Sequence, residues 1–165
     1  MRGFLGQSCY KVMMYLGIVD CGMIYCNSGM VGIFLLKLIQ GSVYCQSPKM
    51  NFVYSMICYF LYFSSSFTCF ILGLNRLSEL LSIRWLIASF KGTRTWFVLL
   101  LPTIYGSYAA FCSPLPFFDS NLHVFMFDPM IGLEYEYANV FHSWNNFVLP
   151  TTTMLMYGFM AFKIR

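Results

Sequence analysis

Four long runs of apolar residues, separated by shorter and more polar connections, dominate the pattern of this chain. The predicted spans cover approximately residues 12–36, 52–74, 95–118 and 141–163. A helix of about 20 mainly apolar residues crosses the hydrocarbon core of a bilayer, so each run is long enough to span it. The runs are continuous, whereas the strands of a transmembrane β-barrel alternate between apolar and polar residues. The pattern therefore predicts an all-α fold, a polytopic transmembrane helical bundle with four spans in a single domain over residues 1–165.

Composition supports a membrane environment. Hydrophobic residues make up 59% of the chain and charged residues only 10%, and the mean hydropathy is +0.66. A soluble domain usually carries about a quarter charged residues because its surface must remain hydrated. The composition excludes soluble and disordered chains and makes membrane lipid the expected surrounding. The ten basic residues form no stripe of the density that a nucleic-acid-binding protein needs, so no nucleic-acid partner is expected.

The distribution of charge predicts how the spans are oriented. The connection at residues 75–95 contains four basic residues and one acidic residue, whereas the connection at 119–140 contains four acidic residues and no Lys or Arg. Basic residues beside membrane spans favour the cytoplasmic side. We therefore expect the chain start, the 75–95 connection and the chain end to be cytoplasmic, and the 119–140 connection to lie outside.

The outer connection has a pattern of its own. Residues 122–127 alternate in apolar character, residues 128–132 have the composition of a turn, and residues 133–137 alternate again. This pattern predicts a short β-hairpin over the outer mouth of the bundle. An irregular aromatic loop at the level of the lipid headgroups explains the same residues, because Tyr and Trp favour that depth. Both interpretations remain open at this point.

Asp20 is the most informative single residue, because it is the only acidic residue inside the four predicted spans. A carboxylate inside a spanning helix costs a few kcal/mol unless it is protonated or paired. Asp20 lies about 12 Å into the first run, which favours a buried polar hub shared between helices, such as an ion site. The alternative is an acid close enough to the cytoplasmic end to reach water.

Other polar residues have ordinary explanations beside functional ones. Arg76 ends the second span, where a basic side chain usually anchors a helix at the interface. The outer end of the fourth span carries polar residues at near-helical spacing, which are Asn139, His142, Asn145 and Asn146. They are candidates to face a ligand cavity, or else they form a polar first turn with an Asn cap.

The sequence contains no pattern typical of catalysis. It has no nucleophile and base at a suggestive spacing, no paired carboxylates and no Gly-rich phosphate loop. Neither of the two histidines has a partner at the spacing of metal ligands. We therefore expect no catalytic residue, no metal site, no cofactor and no enzymatic activity.

Several short blocks of the sequence are distinctive in combination. The most specific block runs from Arg94-Thr95-Trp96 through Leu101-Pro102-Thr103-Ile104-Tyr105-Gly106. The others are Cys9-Tyr10-Lys11, Leu16-Gly17-Ile18-Val19-Asp20, Gly41-Ser42-Val43-Tyr44-Cys45, Asn75-Arg76, Asp128-Pro129-Met130-Ile131-Gly132 and the series of polar residues that begins at Asn139. These blocks resemble the nematode serpentine receptor class T (Srt) family of seven-transmembrane, chemoreceptor-like proteins, and the resemblance extends over nearly the whole chain.

The resemblance implies that the four spans correspond to helices two to five of a seven-helix receptor, so that the chain is truncated. Asp20 then resembles the acid of helix two in rhodopsin-like receptors, and Ser65 resembles the hydroxyl that joins this acid at an ion site. Arg76 resembles the arginine at the end of helix three, so the resemblance implies that Arg76 and Asn75 face a G protein. Asn75 stands where an acid usually precedes that arginine, so the usual local ion pair cannot form.

The function implied by the resemblance is that of a chemosensory G-protein-coupled-receptor-like membrane protein. In the intact form it would bind an unknown small molecule and couple to a G protein, and receptor oligomers are further candidate partners. One alternative is a non-signalling receptor fragment that acts as an assembly partner. Another is a small transporter subunit, although Asp20 alone supplies the intramembrane charge that a transport path would need.

Overall fold

The computed structural model describes residues 7–30, 32, 48–119, 124–127 and 138–165. The elements are helices α1 (Ser8–Ile24), α2 (Pro48–Leu80), α3 (Arg84–Ser89), α4 (Arg94–Cys112) and α5 (Val140–Ile164), and strands β1 (Phe117–Asp119) and β2 (Val124–Met126). Within the described ranges, four helical segments are long and apolar enough to cross a membrane, and these are Ser8–Gly29, Lys49–Leu80, Arg94–Cys112 and Val140–Ile164. The predicted all-α transmembrane bundle with four spans is confirmed.

Helix α1 changes its winding near its end. After Ile24 the helix continues as a π-helical segment, Tyr25–Met30, in which each turn takes more residues than in an α-helix. The predicted first span reaches residue 36, but residues 33–36 lie outside the described part of the chain.

Helix α2 is the centre of the bundle and contacts α1, α4 and α5. Its 33 residues make a rod of about 50 Å, which is longer than the hydrocarbon core of about 30 Å. The helix must therefore tilt or project beyond the core. Because three helices pack on α2, its residues border each of the cavities described below.

Helices α2 and α4 approach each other closely at Gly106. A side-chain carbon added at Gly106 would lie 2.5 Å from Ser64 Oγ and 2.6 Å from the carbonyl oxygen of Phe60, so only glycine fits there. Ser64 Oγ donates a hydrogen bond to the carbonyl of Pro102 at 2.9 Å. Small residues of this kind let helices pack closely where no hydrophobic force drives them together in lipid.

One end of the bundle joins the start of α1 to the connection between α2 and α4. Lys11 Nζ donates to the carbonyl of Gly92 at 2.6 Å. Gly92 has a φ of 63°, a left-handed conformation that glycine adopts without steric cost. Nearby, Val12, Ile71, Phe90 and Leu99 form a buried apolar cluster. The first turns of α1 and the 75–95 connection, which is expected to be cytoplasmic, thus share one end of the bundle, called the inner end below.

The opposite, outer end carries a two-stranded antiparallel ribbon in which Phe117 pairs with Met126 and Asp119 with Val124. The predicted third span extends to residue 118, but α4 ends at Cys112 and residues 117–118 belong to β1. The physical reason is Pro114 and Pro116, which cannot donate backbone hydrogen bonds to a continuing helix. Ser113, directly before the first of them, is already extended, with φ −123° and ψ 157°.

The structure contains a strand where the hairpin prediction places its first one. Strand β2 lies within the predicted first strand, residues 122–127, and it pairs with β1, which precedes it in the chain. The predicted second strand, residues 133–137, lies outside the described residues. The pairing follows from the early end of α4, because the extended chain after Cys112 supplies a strand that the predicted longer helix would have absorbed.

Candidate functional site

Asp20 and Ser65 meet in the middle of the bundle. Ser65 Oγ of α2 donates a hydrogen bond to Asp20 Oδ1 of α1 at 2.6 Å. A carboxylate inside a membrane span needs such a partner, because lipid supplies none. The two residues that the resemblance associates with one ion site are therefore in direct contact.

A cavity of about 510 Å³ opens beside this pair, between α1, α2 and α5; it is called the Asp20 cavity here. Its lining residues are Asp20, Met23, Tyr62, Ser65, Ser66, Cys69, Leu149, Pro150, Thr153, Met154 and Tyr157. The carboxylate and three hydroxyl-bearing Ser and Thr residues give this mostly apolar space a local polar region. Such a region suits a cation or ordered water.

Asn139 holds the outer start of α5. Its Oδ1 accepts a hydrogen bond from the backbone nitrogen of His142 at 2.9 Å, which caps the helix. Its Nδ2 donates to Tyr59 Oη at 2.9 Å and to the carbonyl of Pro114 at 2.8 Å. Asn139 is 5% exposed, and both ends of its amide are engaged. It fastens α5 to α2 and to the end of α4.

Asn145 is also engaged in packing. Tyr105 Oη of α4 donates to Asn145 Oδ1 at 3.1 Å, and Asn145 is buried. Its Nδ2 donates to Asn146 Oδ1 at 3.4 Å. The amide of Asn145 therefore links α4 to α5 and is not free to bind a ligand.

Asn146 connects α2 to His142. Its Oδ1 accepts a hydrogen bond from Tyr62 Oη, and its Nδ2 lies 2.9 Å from His142 Nε2. The imidazole of His142 also stacks on two rings of α2, with centroid distances of 5.8 Å to Tyr59 and 5.6 Å to Tyr62. The position of His142 is thus fixed by ring contacts and by one amide.

A second cavity, of about 200 Å³, lies toward the outer end and is called the outer cavity here. Its lining residues are Met23, Asn27, Ser55, Cys58, Tyr59, Tyr62, Pro116, Phe125 and His142. Met23 and Tyr62 line both cavities, so the two spaces are neighbours. Of the four residues predicted to face a ligand cavity, His142 alone lines this one, because Asn139 and Asn145 serve packing and Asn146 holds His142.

Two residues that line the outer cavity, Ser55 and His142, each carry a buried polar atom that lacks a partner among the described residues. Ser55 Oγ and His142 Nδ1 are both buried, and neither has a hydrogen-bond partner among the described residues. Ser55 is 1% exposed. Buried polar groups in native proteins are almost always paired, so each exception needs an explanation.

The sequence prediction missed the wall that α2 contributes to this cavity. Ser55, Tyr59 and Tyr62 are spaced by four and three residues, which puts them on one face of α2. That spacing was the available signal. It did not stand out because the whole run is apolar and aromatic, so no face of the helix differs from the others by composition.

At the inner end, Asn75 and Arg76 lie in different surroundings. Asn75 is 1% exposed, and its Nδ2 donates to Ser8 Oγ of α1 at 3.1 Å, whereas Arg76 is exposed. The contacts of Ser65 with Asp20 and of Asn75 with Ser8 therefore join α1 to α2 at two depths. In the residues described, no group of three or more His, Cys, Asp or Glu side chains is arranged to hold a metal ion.

Comparison with known proteins gives two matches and one negative result. The model of the family described as "Serpentine type 7TM GPCR chemoreceptor Srt" matches residues 3–165. The chain is similar to serpentine receptor class T-55 of Caenorhabditis elegans, with 28% identity over 154 residues that cover 90% of this chain. The matched region is 40% of the length of that relative. No solved structure matches the chain.

Proposed function

The chain belongs to the serpentine type seven-transmembrane chemoreceptor family Srt, and we propose that it supplies helices two to five of such a receptor. In the intact receptor, a small molecule binds in the outer cavity and changes the packing of the helices around it. The change passes through the Asp20–Ser65 contact to Arg76, which faces a G protein. Ligand binding shifts an equilibrium between helix arrangements that differ in their affinity for the ligand.

The observation that carries this proposal is the succession of sites along α2. From the outer end inward, α2 contributes Ser55 and Tyr62 to the outer cavity, Ser65 to the Asp20 cavity, and Arg76 to the inner end. Tyr62 borders both cavities. A molecule that moves Tyr62 therefore changes the surroundings of Asp20 without touching it.

The proposed orientation follows from the charges and from the contact between Lys11 and Gly92. The inner end, with the chain start and the 75–95 connection, is cytoplasmic together with the chain end, and the 119–140 connection lies outside.

Glycosylation tests this orientation. His123→Thr creates an Asn-x-Thr sequon at Asn121 in a chain that otherwise has none. We expect this variant to be glycosylated in microsomes, whereas Ser89→Asn with Lys91→Thr is not. The reverse pattern would show that the orientation is wrong.

A chimeric receptor tests the signalling function. The segment of serpentine receptor class T-55 that aligns with this chain is replaced by it, and responses to a panel of small molecules are measured as nucleotide exchange on a co-expressed G protein. Once an agonist is found, we expect Arg76→Ala to lower the response at least tenfold without changing agonist affinity. Arg84→Ala is the matched control, because Arg84 is an exposed basic residue of the same connection. An unchanged response in Arg76→Ala would refute the role of Arg76.

A non-signalling assembly partner is the second candidate, and the exposed face of α5 favours it. Met154, Leu155 and Phe162 of α5 are 78%, 67% and 81% exposed, and this face is available to another membrane helix. Co-purification of the 165-residue chain with a full-length relative would support this function. A ligand-stimulated G-protein response from the 165-residue chain alone would contradict it.

A further inference from the structure

We propose that the outer cavity binds a neutral, single-ring molecule whose hydrogen-bond acceptor, such as a carbonyl oxygen, receives a bond from His142 Nδ1–H. The inference rests on the proposed function, which makes this cavity the ligand site. The inference adds to that function the chemical class of the ligand and the protein atom that recognises the ligand.

The hydrogen-bond network around Asn146 decides which nitrogen of His142 carries the proton. Asn146 Oδ1 accepts bonds from Tyr62 Oη and from Asn145 Nδ2 at 3.4 Å, so its Nδ2 is the group turned toward His142. An amide nitrogen can only donate, and His142 Nε2 at 2.9 Å must accept. The imidazole is therefore neutral, with its proton on Nδ1. Such an assignment follows from the network and can be measured directly.

Nδ1–H is then a donor without an acceptor. It is buried, and the described residues offer it no partner. A buried donor that lacks an acceptor loses its hydrogen bond to water and gains nothing in return. A ligand acceptor placed against Nδ1–H restores that bond, so an acceptor-bearing molecule gains more from entering than an apolar molecule of the same shape.

Ser55 supplies a second recognition group. Its Oγ lines the same cavity, is buried and has no partner in the described ranges. A hydroxyl can both donate and accept, so it accommodates a second polar atom of the ligand of either kind. The two unpartnered atoms come from α2 and α5, and a ligand that bonds to both holds these helices together.

The volume of the outer cavity sets the size of the ligand. An engineered cavity of about 150 Å³ in another protein binds benzene, and the outer cavity measures about 200 Å³. One ring with a short polar substituent fits this space. Four of the nine lining residues are aromatic or imidazole rings (Tyr59, Tyr62, Phe125 and His142), which favours a flat ligand that can stack.

The charge of the lining sets the charge of the ligand. Among the described residues, those that line the outer cavity include no Asp, Glu, Lys or Arg, so none of them offers a counter-charge to an ionic group. Asp20 lines the neighbouring cavity instead. A neutral ligand suits the outer cavity, whereas a cation suits the Asp20 cavity.

The first experiment is nitrogen NMR of the full chain in lipid nanodiscs, which identifies the tautomer of His142. The chain has two histidines, so His123→Gln leaves a single ring-labelled imidazole. We expect a protonated Nδ1 and an unprotonated Nε2 in the absence of ligand. A protonated Nε2 with a bare Nδ1 would overturn the proposal, because the cavity would then lack the donor.

Binding of matched probes tests the ligand class. Acetophenone has a ring and a carbonyl, α-methylstyrene has nearly the same shape with a CH₂ in place of the oxygen, and benzylammonium carries a charge. Concentrations are corrected for partition into empty nanodiscs. We expect acetophenone to shift the Nδ1 resonance and to bind about tenfold more tightly than α-methylstyrene, the effect of one hydrogen bond.

Variants separate recognition from folding. His142→Phe preserves a ring on Tyr59 and Tyr62, and we expect it to abolish the preference for acetophenone. Ser55 Oγ can donate to the second lone pair of the carbonyl oxygen, so we expect Ser55→Ala to weaken acetophenone binding severalfold. Ser66→Ala, on the same helix but lining only the Asp20 cavity, leaves it unchanged. Ser55→Ala has no hydrogen bond to lose among the described residues, so it keeps the test valid if His142→Phe does not fold.

The remaining outcomes distinguish failure of this inference from failure of the proposed function. Tighter binding of benzylammonium at His142, or no shift of Nδ1 with any probe, would overturn the ligand class. The receptor function would then still stand if the chimera responds to a molecule of another class. Equal binding of acetophenone and α-methylstyrene would show that Nδ1–H plays no part in recognition.

Discussion

The Asp20 cavity and the outer cavity share Met23 and Tyr62, yet their polar groups differ in one respect. In the Asp20 cavity the carboxylate already has a protein partner, Ser65, at 2.6 Å. In the outer cavity, Ser55 Oγ and His142 Nδ1 have none among the described residues. Two neighbouring spaces in one bundle are thus lined by a paired carboxylate in one case and by residues with unpaired buried atoms in the other.

The difference distinguishes polar groups that stabilise the fold from polar groups that are available to bind a ligand. A hydrogen bond within the bundle stabilises the fold in every state of the protein, so its loss lowers stability. An unpartnered buried atom costs desolvation without a compensating bond, so its removal does not lower stability and lowers only the affinity for a ligand. Stability measurements on substitutions in the two cavities therefore distinguish the two kinds of group.

The largest effect is expected at Asn139, which holds the wall of the outer cavity. Asn139→Ala removes the cap of α5 and leaves Tyr59 Oη and the carbonyl of Pro114 without their donor. We expect the free energy of unfolding to fall by about 3 kcal/mol, measured by circular dichroism during SDS titration. Ser143→Ala, in the same helical turn, is the control and should cost less than about 0.5 kcal/mol. Equal losses in the two variants would contradict the role of Asn139.

The next effect is expected at Ser65. Ser65→Ala leaves Asp20 Oδ1 without its hydrogen bond, and we expect a loss of about 1.5 kcal/mol in the same assay. Ser65→Thr retains the hydroxyl and should recover most of the difference. Ser66→Ala is the neighbouring control. If Ser65→Ala and Ser66→Ala have the same stability, the contact between Asp20 and Ser65 contributes nothing.

A smaller effect is expected at Tyr62, which lies between the cavities. Tyr62→Phe removes the hydrogen bond to Asn146 and should cost about 0.6 to 1 kcal/mol, the usual value for such bonds between membrane helices. Tyr105→Phe removes the bond to Asn145 at a similar cost. Only Tyr62→Phe should alter the nitrogen spectrum of His142, because Asn146 holds that ring. A change of the spectrum in both variants would show that the surroundings of His142 do not depend specifically on Tyr62.

The smallest effect is expected at Ser55. Ser55→Ala removes a hydroxyl that has no partner in the described structure. We therefore expect no loss in the free energy of unfolding, because the substitution also removes the desolvation cost of a buried, unpaired group. The substitution is chemically identical to Ser65→Ala and lies on the same helix. A loss of more than about 1 kcal/mol would show that Ser55 has a structural partner, and the contrast between the cavities would disappear.

The parts that sequence could predict are those in which one residue stands out against its surroundings. Asp20 is visible because it is an acid inside an apolar run. Ser65 is one of three consecutive serines, and local sequence does not select it; the family resemblance did. The structure puts the two in contact, while their use as an ion site remains a proposal.

The parts that sequence could not predict depend on which helix faces meet. Lipid-facing and core-facing residues are both apolar in a membrane bundle, so composition did not reveal that Ser55, Tyr59 and Tyr62 form a wall. Asn139 had two interpretations, as a cavity residue or as a cap, and its contacts show a cap. The pairing of β2 with β1 required the end of α4 to be known.

The contact between Lys11 and Gly92 has a consequence for biosynthesis. The partners are 81 residues apart in the chain, and Lys11 is 9% exposed in the finished bundle. A ribosome that adds about 5–20 residues per second needs about 4–16 s between them. During that interval the ammonium group has no carbonyl to bind and must be solvated by water or lipid headgroups. The contact that closes the inner end therefore forms only after α1 and α2 have been made.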